Sequence, residues 1–214
     1  MKNLKNFCLS MLFLLAFTLW TIAVCFVDVQ SIGPNASSVG LATINTFFHN
    51  LTGVNMTLYV ITDWLGLVPV AVCLAFAILG FCQLIKRKSF FKVDRSILVL
   101  GGFYIVTMVA YLLFEEVVIN YRPVLINGFL EASYPSSTTL LVLCVMPTAI
   151  MQLSDRIKNK TLKGCISIVI VTFIVFMLLG RLISGVHWLT DIIGGVLLGT
   201  GLVLMYQTLT KVSH

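Results

Sequence analysis

Charge is scarce in this chain. Charged residues make up 10% of its 214 residues, hydrophobic residues 59%, and the mean hydropathy is +1.04. So little polar surface could not cover a water-soluble domain of this length. Paired cysteines are lacking as well. Cys8, Cys25, Cys73, Cys82, Cys144 and Cys165 stand in apolar surroundings with no CxxC pair and no histidine beside them. That argues against a disulfide framework or a zinc site and fits small buried hydrophobes. No cluster of metal ligands is visible and no cofactor is implied. The net charge of +6 is not gathered into one face, which argues against a nucleic-acid partner. The basic residues fall in the gaps between apolar runs, where membrane topology explains them better.

A helical span takes about 20 mostly apolar residues. Residues 7–27, 62–85, 96–118, 136–153, 164–183 and 189–209 qualify. Lipid offers the backbone no partners, so these segments should be helices. The expected fold is all-α, a polytopic bundle of six transmembrane helices forming a single membrane-embedded domain over 1–214. The fourth segment is short and carries Pro147, which should kink or end it. The first could be a signal peptide, since Lys2 and Lys5 precede it. Its length and the poor cleavage site after it favour an uncleaved span.

With six spans, Lys2, Lys5, the group from Lys86 to Arg95, the group from Arg156 to Lys163, and Lys211 share one side. That side should be cytoplasmic, with both termini on it. The compact layout without long soluble loops fits a bacterial cytoplasmic membrane. Residues 28–61 should form an exposed or interfacial loop, with a short amphipathic helix near Leu41–Phe48. Asn35, Asn50 and Asn55 each start an N-x-S/T triplet, which chance supplies often.

Only Arg122 and Arg181 break the positive-inside bias. A single arginine there could merely anchor at the headgroups. Both, however, sit in stretches rich in chemistry, 115–139 and 180–195. In the second, His187 and Asp191 are four apart and would share a helix face. A carboxylate on one imidazole nitrogen fixes the tautomer and frees the other nitrogen for attack. In the first, Ser136, Ser137, Thr138 and Thr139 follow Pro135 and open the fourth span. Hydroxyl residues there can simply cap a helix, or their backbone N–H groups can receive an anion. Gly195 and Gly199 fit a helix-packing motif and are read as ordinary packing.

At these residues the chain resembles the type-2 phosphatidic acid phosphatase family, whose pattern has three parts: KxxxxxxRP, PSGH and SRxxxxxHxxxD. Arg181, His187 and Asp191 keep the full spacing of the third part, with Gly180 for its serine. The first part matches at Arg122-Pro123, with Glu115 at the lysine position. The second matches at Pro135-Ser136, with Ser137 at the glycine and Thr138 at the histidine.

The resemblance implies a metal-independent phosphatase that acts on a lipid phosphate or a polyprenyl or lipid diphosphate in the bilayer, at the non-cytoplasmic face. It implies His187 as nucleophile, Asp191 as its orienting partner, and Arg122, Arg181, Ser136 and Ser137 as phosphate ligands. Thr138 cannot replace the family's acid, a loss that costs about 10²–10⁴ in rate. A diphosphate needs that acid least, because its leaving group is good. Alternatively Glu131, Glu115 or Glu116 could donate the proton, although Glu131 could equally just solvate its loop. The competing expectation is a non-catalytic lipid-phosphate-binding or transport protein on the same scaffold.

Overall fold

The computed structural model describes residues 2–211, so Met1 and residues 212–214 of the expected domain lie outside the described residues. Among the described residues eight α-helices follow one another: α1 (Lys2–Phe26), α2 (Ala42–Thr52), α3 (Met56–Leu65), α4 (Leu67–Arg87), α5 (Arg95–Glu116), α6 (Ser137–Arg156), α7 (Lys160–Ile183) and α8 (Leu189–Lys211). Among the described residues six stretches are long and apolar enough to cross a membrane: Asn3–Phe26, Met56–Arg87, Arg95–Glu116, Ser137–Arg156, Lys160–Ile183 and Leu189–Thr210. They correspond to the six expected spans. Leu12, Leu19, Phe81, Ile105 and Ile168 stand exposed on their outer faces, where only lipid tails would leave them undisturbed.

α8 lies at the centre, packed on α1 and α6. Its glycines permit the approach. A Cβ on Gly195 would meet Thr139 at 3.0 Å, and one on Gly199 would meet Leu143 at 2.9 Å. This is the helix-packing role expected of the pair. Phe17, Tyr134, Leu140, Cys144 and Leu198 form the adjoining core.

Four local expectations change. The second span starts at Met56 and steps at Gly66, between α3 and α4. Pro69 has no N–H to offer the Leu65 carbonyl one turn earlier, and its ring would crowd that carbonyl. Pro147, by contrast, does not end its helix: α6 continues to Arg156. α7 and α8 pack alongside and hold it in place. Among the cysteines only Cys144 is buried; Cys8, Cys25, Cys82 and Cys165 are exposed on the apolar surface, because a lipid solvent does not require an apolar side chain to face inward.

Segment 28–61 is the fourth. It contains the expected amphipathic helix, at Ala42–Thr52, but it is not simply an exposed loop. Val39 and Asn45 are fully buried. Asn45 Nδ2 donates to Thr190 Oγ1 at 3.0 Å, and its Oδ1 accepts from Thr190 N at 3.2 Å. The segment is thereby fastened to the start of α8, at the end of the bundle opposite the basic loops.

Candidate active site

Two turns build the site. After α5 the chain doubles back as a small hairpin. Arg122 N donates to Glu131 O at 3.0 Å, and Ser133 N to Asn120 O at 2.9 Å. Ile126 and Phe129 exchange backbone bonds of 3.0 and 2.9 Å around Asn127 and Gly128, whose φ values are 50° and 83°. A two-residue turn with both central residues left-handed suits Asn-Gly and matches strand twist. The pairing sets Arg122 and Ser133 near each other. Tyr134, next along, is buried against Phe17 and bonded to the Thr21 hydroxyl at 2.7 Å.

The second turn joins α7 to α8. Gly185 adopts φ +66°, and a Cβ there would lie 1.8 Å from Gly53 O. Asn55 N bonds Ser184 O at 2.9 Å, so the α2–α3 connection closes over this turn. His187 lies in it, ahead of α8, whereas Asp191 is in the first turn of α8. The expectation that the two share a helix face is therefore corrected. Gly185 ends α7 too early for a continuous helix, and they meet because Trp188 N donates to Asp191 Oδ2 at 2.8 Å. Trp188 Nε1 also ties the turn to the hairpin, at Tyr121 O, 2.7 Å.

The side chains converge on the His187 ring. Its Nε2 lies 3.1 Å from a terminal nitrogen of Arg181 and 3.4 Å from one of Arg122. Its Nδ1 is 3.1 Å from Ser133 Oγ and 3.7 Å from Asp191 Oδ2. Ser133 Oγ in turn donates to Asp191 Oδ2. All these groups are buried: Arg181 is 1% exposed, Arg122 8%, His187 4% and Asp191 0%. Burial, followed by the charges of Arg122 and Arg181, holds the imidazole well below its ordinary pKa near 6.5. The ring is neutral at pH 7.

The two guanidiniums lack full compensation. Arg181 pairs with the half-exposed Asp63 at 3.4 Å. Arg122 Nε lies 3.1 Å from Glu131 Oε2, but at an angle that leaves it without a directed hydrogen bond. Arg181 Nε is also buried without a partner. Tyr59 presents its ring to both cations, 5.1 Å from Arg181 and 5.8 Å from Arg122. Two buried cations with spare donors around one bare imidazole nitrogen have the chemistry to receive an oxyanion.

Arg122, Arg181, His187 and Asp191 are thus brought together. Ser136 and Ser137 are nearby but differently employed. Ser136 caps α6, its N–H bonded to Asp191 O at 3.0 Å and its Oγ accepting from the Thr139 hydroxyl at 3.1 Å. Ser137 lines a cavity of about 10 Å³ with Glu115 and Ser133. Glu131 is occupied beside Arg122, which favours its reading as a solvating ion-pair partner. Three residues of the site were not singled out as such from the sequence: Ser133, Tyr59 and Asp63. Tyr59 and Asp63 are one helical turn apart on α3, a spacing that signals a shared face but not what it faces. Ser133 carried no signal.

The sequence pattern of the PAP2 superfamily matches residues 70–213. The chain belongs to the PAP2 superfamily. The PAP2 match takes in Arg122, His187 and Asp191 and starts beyond Tyr59 and Asp63. Among solved structures the chain is similar to a transmembrane PAP2-type phosphatidylglycerolphosphate phosphatase from Bacillus subtilis. The TM-score is 0.58 at 19% identity, over 94% of this chain and 96% of that one. No protein of curated function matches this PAP2 chain by sequence. The fold likeness and the six apolar helices make it an integral membrane protein.

Proposed function

We propose that this protein is a membrane phosphatase that removes phosphate from a lipid phosphate or a lipid or polyprenyl diphosphate through a phosphohistidine. The observation that carries the reading is the His187 ring, linked through Ser133 to Asp191 on one side and faced by two guanidiniums on the other. A phosphoryl group entering between Nε2 and the arginines would be oriented for in-line attack. Nε2 forms the N–P bond as the P–O bond to the leaving group breaks. Arg122 and Arg181 balance the charge on the non-bridging oxygens. Water then attacks phosphorus, and the N–P bond breaks to free phosphate and the imidazole. PAP2 membership and the fold of the Bacillus phosphatase support this reading.

The site belongs at the non-cytoplasmic face, because the basic loops cluster at the other end of the bundle. The threonine at position 138 favours a diphosphate, which expels a phosphate needing little protonation. Of the candidate acids, Glu115 shares a cavity with Ser133 and Ser137. The non-catalytic alternative draws on Thr138 and Glu115, which depart from the family pattern. It gives no reason for an oriented imidazole.

The test is phosphate release by purified protein in detergent from phosphatidic acid, phosphatidylglycerol phosphate and undecaprenyl diphosphate. Turnover of at least one, strongest on the diphosphate and abolished by His187→Ala, is expected. Lipid binding without hydrolysis, unchanged by His187→Ala, would sink the enzyme reading.

A further inference from the structure

Asp191 is too far from His187 to orient it alone. The Nδ1–Oδ2 separation is 3.7 Å, beyond hydrogen-bond reach. Between them stands Ser133 Oγ, 3.1 Å from Nδ1 and bonded to Oδ2. We infer that Ser133 is a positioning residue for phosphoryl transfer: its hydroxyl relays the Asp191 carboxylate to the imidazole, fixing the Nδ1–H tautomer and keeping Nε2 bare. The inference rests on the phosphatase reading for its catalytic meaning, but the tautomer can be read without it.

The proton count supports the assignment from both sides of the ring. A serine hydroxyl has one hydrogen and two lone pairs. Its hydrogen goes to the carboxylate, so toward the ring it can only accept, and Nδ1 must carry a proton. Guanidinium groups are donors only. The Arg181 and Arg122 nitrogens at 3.1 and 3.4 Å therefore require a lone pair on Nε2. The two arguments are independent and give the same tautomer.

The relay is also held in place. Ser133 is 3% exposed and its N–H is bonded to Asn120 O at 2.9 Å. Tyr134 beside it is buried between Phe17 and Phe114. Asp191 Oδ2 already accepts from Trp188 N at 2.8 Å, so the carboxylate cannot swing to the ring without breaking the cap on its own helix. The adjoining cavity of about 10 Å³ is about the size of one water probe. A water drawn in by removal of the hydroxyl could mimic it in part, which limits the expected loss.

The experiment combines kinetics with ¹⁵N spectra of histidine-labelled protein in detergent, where His49 and His214 are the other two histidines. Wild type should show a protonated Nδ1 and a bare Nε2 for His187. Ser133→Ala should leave Nε2 bare, because the arginines still donate to it, but should shift the Nδ1–H signal as its acceptor is lost, and lower kcat by about 10–100-fold with little change in KM. Ser133→Thr keeps the hydroxyl and should keep both the Nδ1–H signal and most of the rate, which also guards against a variant that simply misfolds. A Ser133→Ala protein with the wild-type Nδ1–H signal, or with a wild-type kcat, overturns the inference. If the wild type releases no phosphate from any lipid, the phosphatase reading fails instead, and the spectra alone still decide whether Ser133 sets the ring.

Discussion

The molecule carries an arginine–aspartate pair at each end, and the two pairs are opposites. At the basic end, Arg87 meets Asp94 at 2.7 Å with both side chains about two-fifths exposed. The hydrogen bonds from Arg87 and then Gln83 hold the Asp94 carboxyl below its usual range. Water solvates both charges, so the contact is close and nearly inconsequential. At the other end, Arg181 is 1% exposed and meets Asp63 at 3.4 Å. Here the contact is looser and the cation is sealed from water. A buried guanidinium with an incomplete partner is expensive to keep, and its retention beside His187 makes sense if a phosphoryl group completes the pairing. Distance alone would rank the two pairs in the wrong order; burial decides their meaning.

The largest expected effect that would sharpen this contrast is at the buried end. Arg181→Ala should lower kcat/KM for lipid substrate by about 10²–10³-fold, the scale of removing one transition-state charge partner. Activity near wild type would break the comparison. Next is Thr138→His, which restores a proton donor at the family's acid position. It should raise turnover of a monoester such as phosphatidic acid by about 10-fold or more and barely change a diphosphate. A large gain on the diphosphate would overturn the explanation of Thr138.

A third measurement uses pH. The His187 pKa is depressed from near 6.5. Above that value folded and unfolded chains both hold a neutral imidazole, so the group adds no pH dependence. Below it the unfolded chain takes the proton first, and the folded state loses stability as pH falls. The acid limb of kcat/KM should accordingly lie below 6.5, and the apparent Tm in detergent should start to fall there. A limb above 6.5 would mean an imidazole that is not surrounded as the geometry has it. The smallest effect belongs to the exposed pair: Arg87→Ala should leave activity unchanged and shift stability by only about 0–1 kcal/mol.

Much of this was legible in the linear chain. Six apolar runs specified six spans because each is a local property of about 20 consecutive residues. The spacing of Arg181, His187 and Asp191 pointed to one site, and the break between the fifth and sixth spans left residues 184–188 for a turn; only the shared helix face of His187 and Asp191 did not hold. The cause of the turn's shape, the Gly53 carbonyl at the position of a Gly185 Cβ, lies far away in sequence. The Asn127-Gly128 hairpin was also available, flanked as it is by Ile126 and Phe129, yet it was overshadowed by the Arg122-Pro123 motif. Pro147 did not end α6 because helix-breaking rules describe an isolated helix, whereas α7 and α8 pack alongside this one.

By itself the sequence determined that the chain lives in lipid, how often it crosses, and which basic residues are out of place, since hydropathy and charge act residue by residue against a solvent. Only the tertiary structure decided what meets those residues. Tyr59 and Asp63 come to the arginines from α3, and Ser133 comes between His187 and Asp191 from the hairpin. Hydrogen bonds and cation–π contacts act over a few ångströms of space, and no spacing along the chain encodes a neighbour delivered by a different helix.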